Sequence, residues 1–175
     1  MLRNQCSGTL QKVTMEGVDI GLLMHGATAT LTDVTITGGA VKAAEIKGGA
    51  TLTASGSSFS RAGPSPGVGV FSGLVAHDKR TSAVLESCTF SDNHESAVTI
   101  VGGAVVMVCA CRAERNKGVN SRERKAGAKP CAAFNIVGSG RMTVKDTAIL
   151  GGTAACGGGK IEMSGVTLNG ENVTK

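Results

Sequence analysis

Tryptophan and tyrosine are absent from this chain, and its 175 residues include only four phenylalanines and three prolines. With so few rings there are few platforms on which sugars or nucleobases stack, so recognition that relies on stacking is disfavoured. Long apolar runs are missing too. The longest, "AVTIVGGAVVMVCAC" at 97–111, has 15 residues, short of the roughly 20 that span a bilayer. Gly102 and Gly103 interrupt it and read as a corner between two buried strands. The six cysteines (Cys6, Cys88, Cys109, Cys111, Cys131, Cys156) are too sparse for a small disulfide scaffold and fit a reducing compartment or inert buried thiols. The opening "MLRNQCSGTL" lacks a continuous apolar region and a cleavage site, so no secretory signal is visible.

What is present is glycine, 26 residues of it, and an ordinary apolar content of 41%. That is enough to fold, around a core of Val, Ile, Leu, Ala, Met and Cys. The stretch "TLTDVTIT" at 30–37 shows how these residues are spaced. Preceded by Ala29, it places apolar residues in the frame φ-x-φ-x-x-φ-x-φ, which neither a straight strand nor a helix produces. The frame recurs seven times: Gly8-Leu10-Val13-Met15, Ala29-Leu31-Val34-Ile36, Leu52-Ala54-Ser57-Phe59, Ala83-Leu85-Cys88-Phe90, Val106-Val108-Cys111-Ala113, Met142-Val144-Thr147-Ile149 and Ile161-Met163-Val166-Leu168. Its second-slot positions are 21, 23, 31, 23, 36 and 19 residues apart. The two long intervals contain insertions, "RAGPSPG" at 61–67 and "ERNKGVNSRERKAGAKP" at 114–130. A shorter apolar pair, six residues ahead of the first slot, precedes most copies: Gly21/Leu23, Ala44/Ile46, Val98/Ile100 and Phe134/Ile136, with weaker versions near Leu74/Val75 and Ala155.

The physical reading is a strand solenoid. Alternate strand residues face inward, and the x-x step turns a corner and re-aims the next inward side chain. One coil cannot bury its apolar face alone, but stacked coils can, like residue over like residue about 4.8 Å apart. We therefore expect an all-β chain, residues 1–175 forming one domain of about seven short coils with two inserted loops. Seven coils make a rod about 35 Å long.

The segments "AVTIVGGAVVMVCACRAERN", "AAEIKGGATLTASGSSFS" and "AVLESCTFSDN" resemble the right-handed parallel β-helix repeats of the pectate-lyase-like superfamily. The "GGA" and "FSDN" pieces also resemble polymorphic outer-membrane and adhesin-type repeats. The resemblance covers about residues 8–170 and implies a right-handed parallel β-helix. It says little of function, because such folds serve as polysaccharide lyases and hydrolases, tailspikes, adhesins and non-catalytic interaction modules. The enzymes among them carry clustered Asp on one face.

Here Asp occurs five times. Asp33 and Asp146 share one point of the frame but belong to coils about 19 Å apart, too far for a carboxylate pair; they read as solvated corner residues. "SDNHES" at 91–96 reads as a polar turn, and His25, His77 and His94 show no ligand spacing. Cys111 falls in the inward third slot above Cys88 while Cys109 points outward, which fits stacked buried thiols rather than a metal site. The outward columns Thr30-Thr53-Val84-Met107-Thr143-Glu162 and Thr32-Ser55-Glu86-Cys109-Lys145-Ser164 are not continuous Thr arrays, so an ice-binding face is not expected. No catalytic residue, cofactor or metal is assigned.

The basic insertion is the main functional clue. Residues 112–129 hold Arg112, Arg115, Lys117, Arg122, Arg124, Lys125 and Lys129 against Glu114 and Glu123, so this segment carries 7 − 2 = +5, the whole formal charge of the chain. It suits a phosphate backbone or an acidic protein surface. A solenoid also has two open edges, and "GENVTK" covers the second only poorly, so a partner at an end or face, or a longer chain, is expected. The leading expectation is a non-catalytic structural and interaction module. The alternatives are a polysaccharide-binding or polysaccharide-degrading protein, and a nucleoprotein component held through the basic loop.

Overall fold

The computed structural model describes residues 1–3, 5–38, 41–63, 71–117 and 133–173. It has seven coils of three strands each. The first contains β1 (Leu2–Arg3), β2 (Ser7–Gln11) and β3 (Thr14–Glu16); the second β4 (Ile20–His25), β5 (Thr28–Thr32) and β6 (Thr35–Thr37). The third contains β7 (Lys42–Lys47), β8 (Thr51–Ser55) and β9 (Ser58–Ser60); the fourth β10 (Leu74–His77), β11 (Ser82–Glu86) and β12 (Thr89–Ser91). The fifth contains β13 (Val98–Val101), β14 (Val105–Cys109) and β15 (Arg112–Glu114). The sixth contains β16 (Phe134–Val137), β17 (Arg141–Lys145) and β18 (Ala148–Leu150); the seventh β19 (Ala155–Gly157), β20 (Lys160–Ser164) and β21 (Val166–Leu168).

Corresponding strands of successive coils pair in parallel and build three sheets. Sheet 1 runs β1-β4-β7-β10-β13-β16-β19 and sheet 2 runs β2-β5-β8-β11-β14-β17-β20. Sheet 3 runs from β3 through β21 and ends in β22 (Glu171–Val173), antiparallel to β21. Strand β22 thus covers the edge of sheet 3.

The repeat frame is the pairing register. Gly8, Ala29, Leu52, Ala83, Val106, Met142 and Ile161 stand over one another, as do Leu10, Leu31, Ala54, Leu85, Val108, Val144 and Met163. Met15, Ile36, Phe59, Phe90, Ala113, Ile149 and Leu168 form the fourth-slot column. The buried rings of Phe59 and Phe90 stack across coils with centroids 5.2 Å apart and planes 11° from parallel.

Sheet 1 departs from expectation by one residue in two places. In coil 2, Leu22 and Met24, not Gly21 and Leu23, stand in register with Ala44 and Ile46 and are buried. In coil 4 the pair is Leu74 and Ala76, not Leu74 and Val75. The cause is corner length: "HGAT" has one glycine where "KGGAT" has two, and "HDKRTS" is longer than either. A fixed count back from the first slot slips wherever the corner does.

The corner inside the frame repeats in detail. The residue before the third slot is left-handed in every coil: Lys12 (φ 53°), Asp33 (54°), Gly56 (58°), Ser87 (52°), Ala110 (52°), Asp146 (47°) and Gly165 (61°). Its N–H donates to a carbonyl of the following coil, as from Asp33 to Ser55 (3.1 Å), Ser87 to Cys109 (3.0 Å) and Ala110 to Lys145 (3.0 Å). The third-slot N–H is then left without a strand partner inside the core, where an unpaired donor is costly. Small polar side chains of the next coil supply one. Val34 donates to Ser57 Oγ (3.1 Å), Cys88 to Cys111 Sγ (3.3 Å) and Cys111 to Thr147 Oγ1 (3.3 Å).

Candidate binding face on sheet 1

Strand β7, "KAAEIK", points Ala44 and Ile46 into the core and Glu45 and Lys47 outward. Glu45 is nonetheless buried, because cations fold over it. Its Oε2 lies 2.8 Å from Lys42 Nζ, and its Oε1 lies 3.2 Å from Lys47 Nζ and 3.4 Å from His77 Nε2 of the next coil. Burial pushes the carboxyl pKa up, but the two lysines outweigh it, and the net shift is below the ordinary value. Burial also lowers His77, opposed by Glu45 and reinforced by Lys42, so its imidazole is neutral near neutral pH.

The outward column beside Glu45 is basic. Arg3 stands in register with His25 and His25 with Lys47, and His77 follows in coil 4. His25 lies across the corner glycine of coil 3: a methyl group added at Gly48 would overlap its ring. Two clefts flank this imidazole. One, of about 530 Å³, is lined by Gln5, His25, Gly26, Gly48, Gly49 and Arg80; the other, of about 280 Å³, by Met1, Arg3, Leu23, His25 and Lys47. Asp78 Oδ2 accepts from the Gly48 N–H at 3.2 Å. Arg3, Lys42, Lys47 and Arg80 against Glu45 and Asp78 leave this face with a formal 4 − 2 = +2, histidines not counted.

This arrangement suits anion binding better than catalysis. The Glu45 carboxylate is held by two lysines and is a poor proton donor at neutral pH. His77 Nε2 faces Glu45 Oε1 at 3.4 Å while the His25 ring lies across Gly48, so the two imidazoles serve different neighbours. Among the described residues no group of three or more His, Cys, Asp or Glu could hold a metal ion. The sequence reading missed the face because its one-residue slip in coil 2 hid the pattern. With the register corrected, "LR", "MH", "IK" and "AH" each follow an inward residue with a basic group.

Of the basic insertion, Arg112, Arg115 and Lys117 are described, while Arg122, Arg124, Lys125 and Lys129 lie outside the described residues. Arg112 pairs with Glu114 at 2.8 Å. Arg115 makes a fork to Asp92 (Nε–Oδ1 2.7 Å, Nη2–Oδ2 2.9 Å) and reaches Glu114 at 3.1 Å. Its hydrogen bond holds Asp92 below the usual carboxylate range. Lys117 is exposed. Across "SDNHES", Asp92 thus serves Arg115, buried Asn93 bonds to neighbouring coils, and the His94 ring meets Phe71 edge-on at 5.9 Å. Cys88 and Cys111 are buried and stacked and Cys109 faces outward, as the frame requires. The hydrogen bond to Cys88, with burial, pushes the Cys111 thiol far up. Asp33 and Asp146 are exposed corner residues.

Three parallel sheets wound from one repeating coil define a parallel β-helix. Residues 1–149 match the family described as the right handed beta helix region, and the chain belongs to that family. No curated protein and no solved structure matches it significantly. No described helix is long and apolar enough to cross a membrane.

Proposed function

We propose that this β-helix is a non-catalytic interaction module whose sheet 1 face holds an anionic partner. The observation that carries the reading is the column Arg3–His25–Lys47–His77, which sets cationic or protonatable groups at one-strand intervals beside two open clefts. Parallel pairing fixes the backbone spacing of the column, so only side chains, Lys47 on Glu45 among them, must reorient to meet a row of negative charges. The basic insertion is a second contact in this proposal, through Arg112, Arg115, Lys117, Arg122, Arg124, Lys125 and Lys129. It connects β15 to β16, so its far end rejoins the chain at sheet 1. Arg112 and Arg115 already serve carboxylates, so they contribute less than their charge suggests.

The test is calorimetric titration with inorganic tripolyphosphate, at low ionic strength and again at high salt. Binding should weaken with salt as the charges are screened, and the pair Lys47→Gln with Arg80→Asn should weaken it about tenfold. Unchanged affinity in that pair removes the sheet 1 face from the reading.

A further inference from the structure

We propose that the outer face of sheet 2 joins two copies of this chain in a reversible two-fold dimer. The proposal is independent of the anion-binding reading, which uses another sheet. Over coils 2 and 3 this face is hydroxylated, with Thr28, Thr30 and Thr32 above Thr51, Thr53 and Ser55. In coils 4 and 5 it turns apolar. Val84, Val105 and Met107 are 42%, 50% and 42% exposed, and Cys109 lies beside them in β14. Solvent-facing strand positions rarely hold three large apolar side chains together, and such a patch marks an interaction surface.

The charges around the patch indicate what covers it. In register across coils 4, 5 and 6 stand Ser82-Val105-Arg141, Val84-Met107-Thr143 and Glu86-Cys109-Lys145. One flank therefore carries a carboxylate and the other two cations. Glu86, Arg141 and Lys145 make no ion pair with another described residue. The surface is its own complement. A two-fold axis along β14 sets coil 4 of one copy against coil 6 of the other. Val105, Met107 and Cys109 then meet their own counterparts at the axis. Glu86 faces Lys145 of the second copy, and the symmetry makes that contact twice. A two-fold along the rod would instead place Arg141 against Lys145, cation on cation. The charge pattern thus selects the arrangement in which the two rods run antiparallel.

Coils 3 to 7 present a face of roughly 24 by 16 Å, about 400 Å² per copy, half of the ~800 Å² per partner in a standard interface. The dimer is accordingly weak and concentration-dependent. Facing sheets stand about 10 Å apart, which exceeds the Cα separation of a disulfide. The two Cys109 thiols are therefore close but unbonded, within reach of a short bismaleimide.

Sedimentation velocity over a wide concentration range should show monomer passing to dimer. Glu86→Lys should weaken the dimer at least about tenfold by opposing like charges, and Glu86→Lys with Lys145→Glu should restore it. The bismaleimide should cross-link the parent chain and fail with Cys109→Ser. All these positions face solvent, and circular dichroism checks that each variant remains folded. Three results would overturn the proposal: a parent chain that stays monomeric, a charge-swapped pair no better than Glu86→Lys, or cross-linking undiminished in Cys109→Ser.

Discussion

Ala110 has no side-chain reason to be left-handed, yet its φ is 52°. It is held there because its N–H serves the Lys145 carbonyl of the next coil. The column around it, from Lys12 to Gly165, shares the conformation with residues as unlike as Lys, Ser and Asp. Stacking sets the angle, so residue type does not reveal it; only Gly56 and Gly165 advertise the corner. An alanine in this region costs about 1–2 kcal/mol, partly offset by the greater chain entropy of glycine. Ala110→Gly should therefore stabilise the fold by about 0.5–1 kcal/mol in urea denaturation, and a loss of stability would contradict this account of the corner. Glu45 and His77 give a second test at this scale. Both have pKa values lowered by folding. The His77 contribution is full above the ordinary histidine value near 6.5 and is lost as pH falls through its lower folded value. The Glu45 contribution is full above about 4.5 and is lost as pH falls through its folded value. Stability should decline in two steps on acidification. His77→Gln should remove the upper step, and Glu45→Gln should shrink the lower one, to which Asp92 and Glu114 also contribute because Arg115 and Arg112 hold them below the usual carboxylate range.

At the scale of strands and corners, the inward frame was legible from the sequence because burial demands apolar residues at fixed alternation, and all seven copies stand in the expected register. The corners were not, because solvent tolerates any length there, and two inward pairs slipped by a residue in consequence. One feature of the corners has a sequence trace: "FSDN" and "AERN" both place Asn three residues beyond the fourth slot. Asn93 Nδ2 donates to Phe59 O at 3.2 Å and to Asn116 Oδ1 at 2.8 Å, and its Oδ1 accepts from the Ala62 N–H at 3.0 Å. Asn116 Nδ2 repeats the first contact one coil on, donating to Phe90 O at 3.0 Å. A side-chain amide here replaces a strand bond where the sheet ends. Asn93→Ala leaves the Ala62 donor and the Phe59 carbonyl without that partner inside the core. It should cost about 1–3 kcal/mol, read as a lower urea midpoint at unchanged slope. A change below about 0.5 kcal/mol would show that other groups satisfy those atoms.

The whole molecule is a rod whose sides differ: sheet 1 is basic around buried Glu45, while the outer face of sheet 2 is hydroxylated in coils 2 and 3, apolar in coils 4 and 5 and charged in coils 6 and 7. The rod was legible in the sequence. The sheet 1 face was not, because it is assembled from one residue per coil, and no local motif connects Arg3 with His77. We propose that this face holds an anionic partner. The most direct measurement is a titration of inorganic tripolyphosphate into isotopically labelled protein, followed residue by residue in amide and imidazole resonances. Saturable shifts are expected at Arg3, His25, Lys47, Gly48, Gly49 and Arg80. Shifts confined to residues 112–129, or none at all, would contradict the proposal.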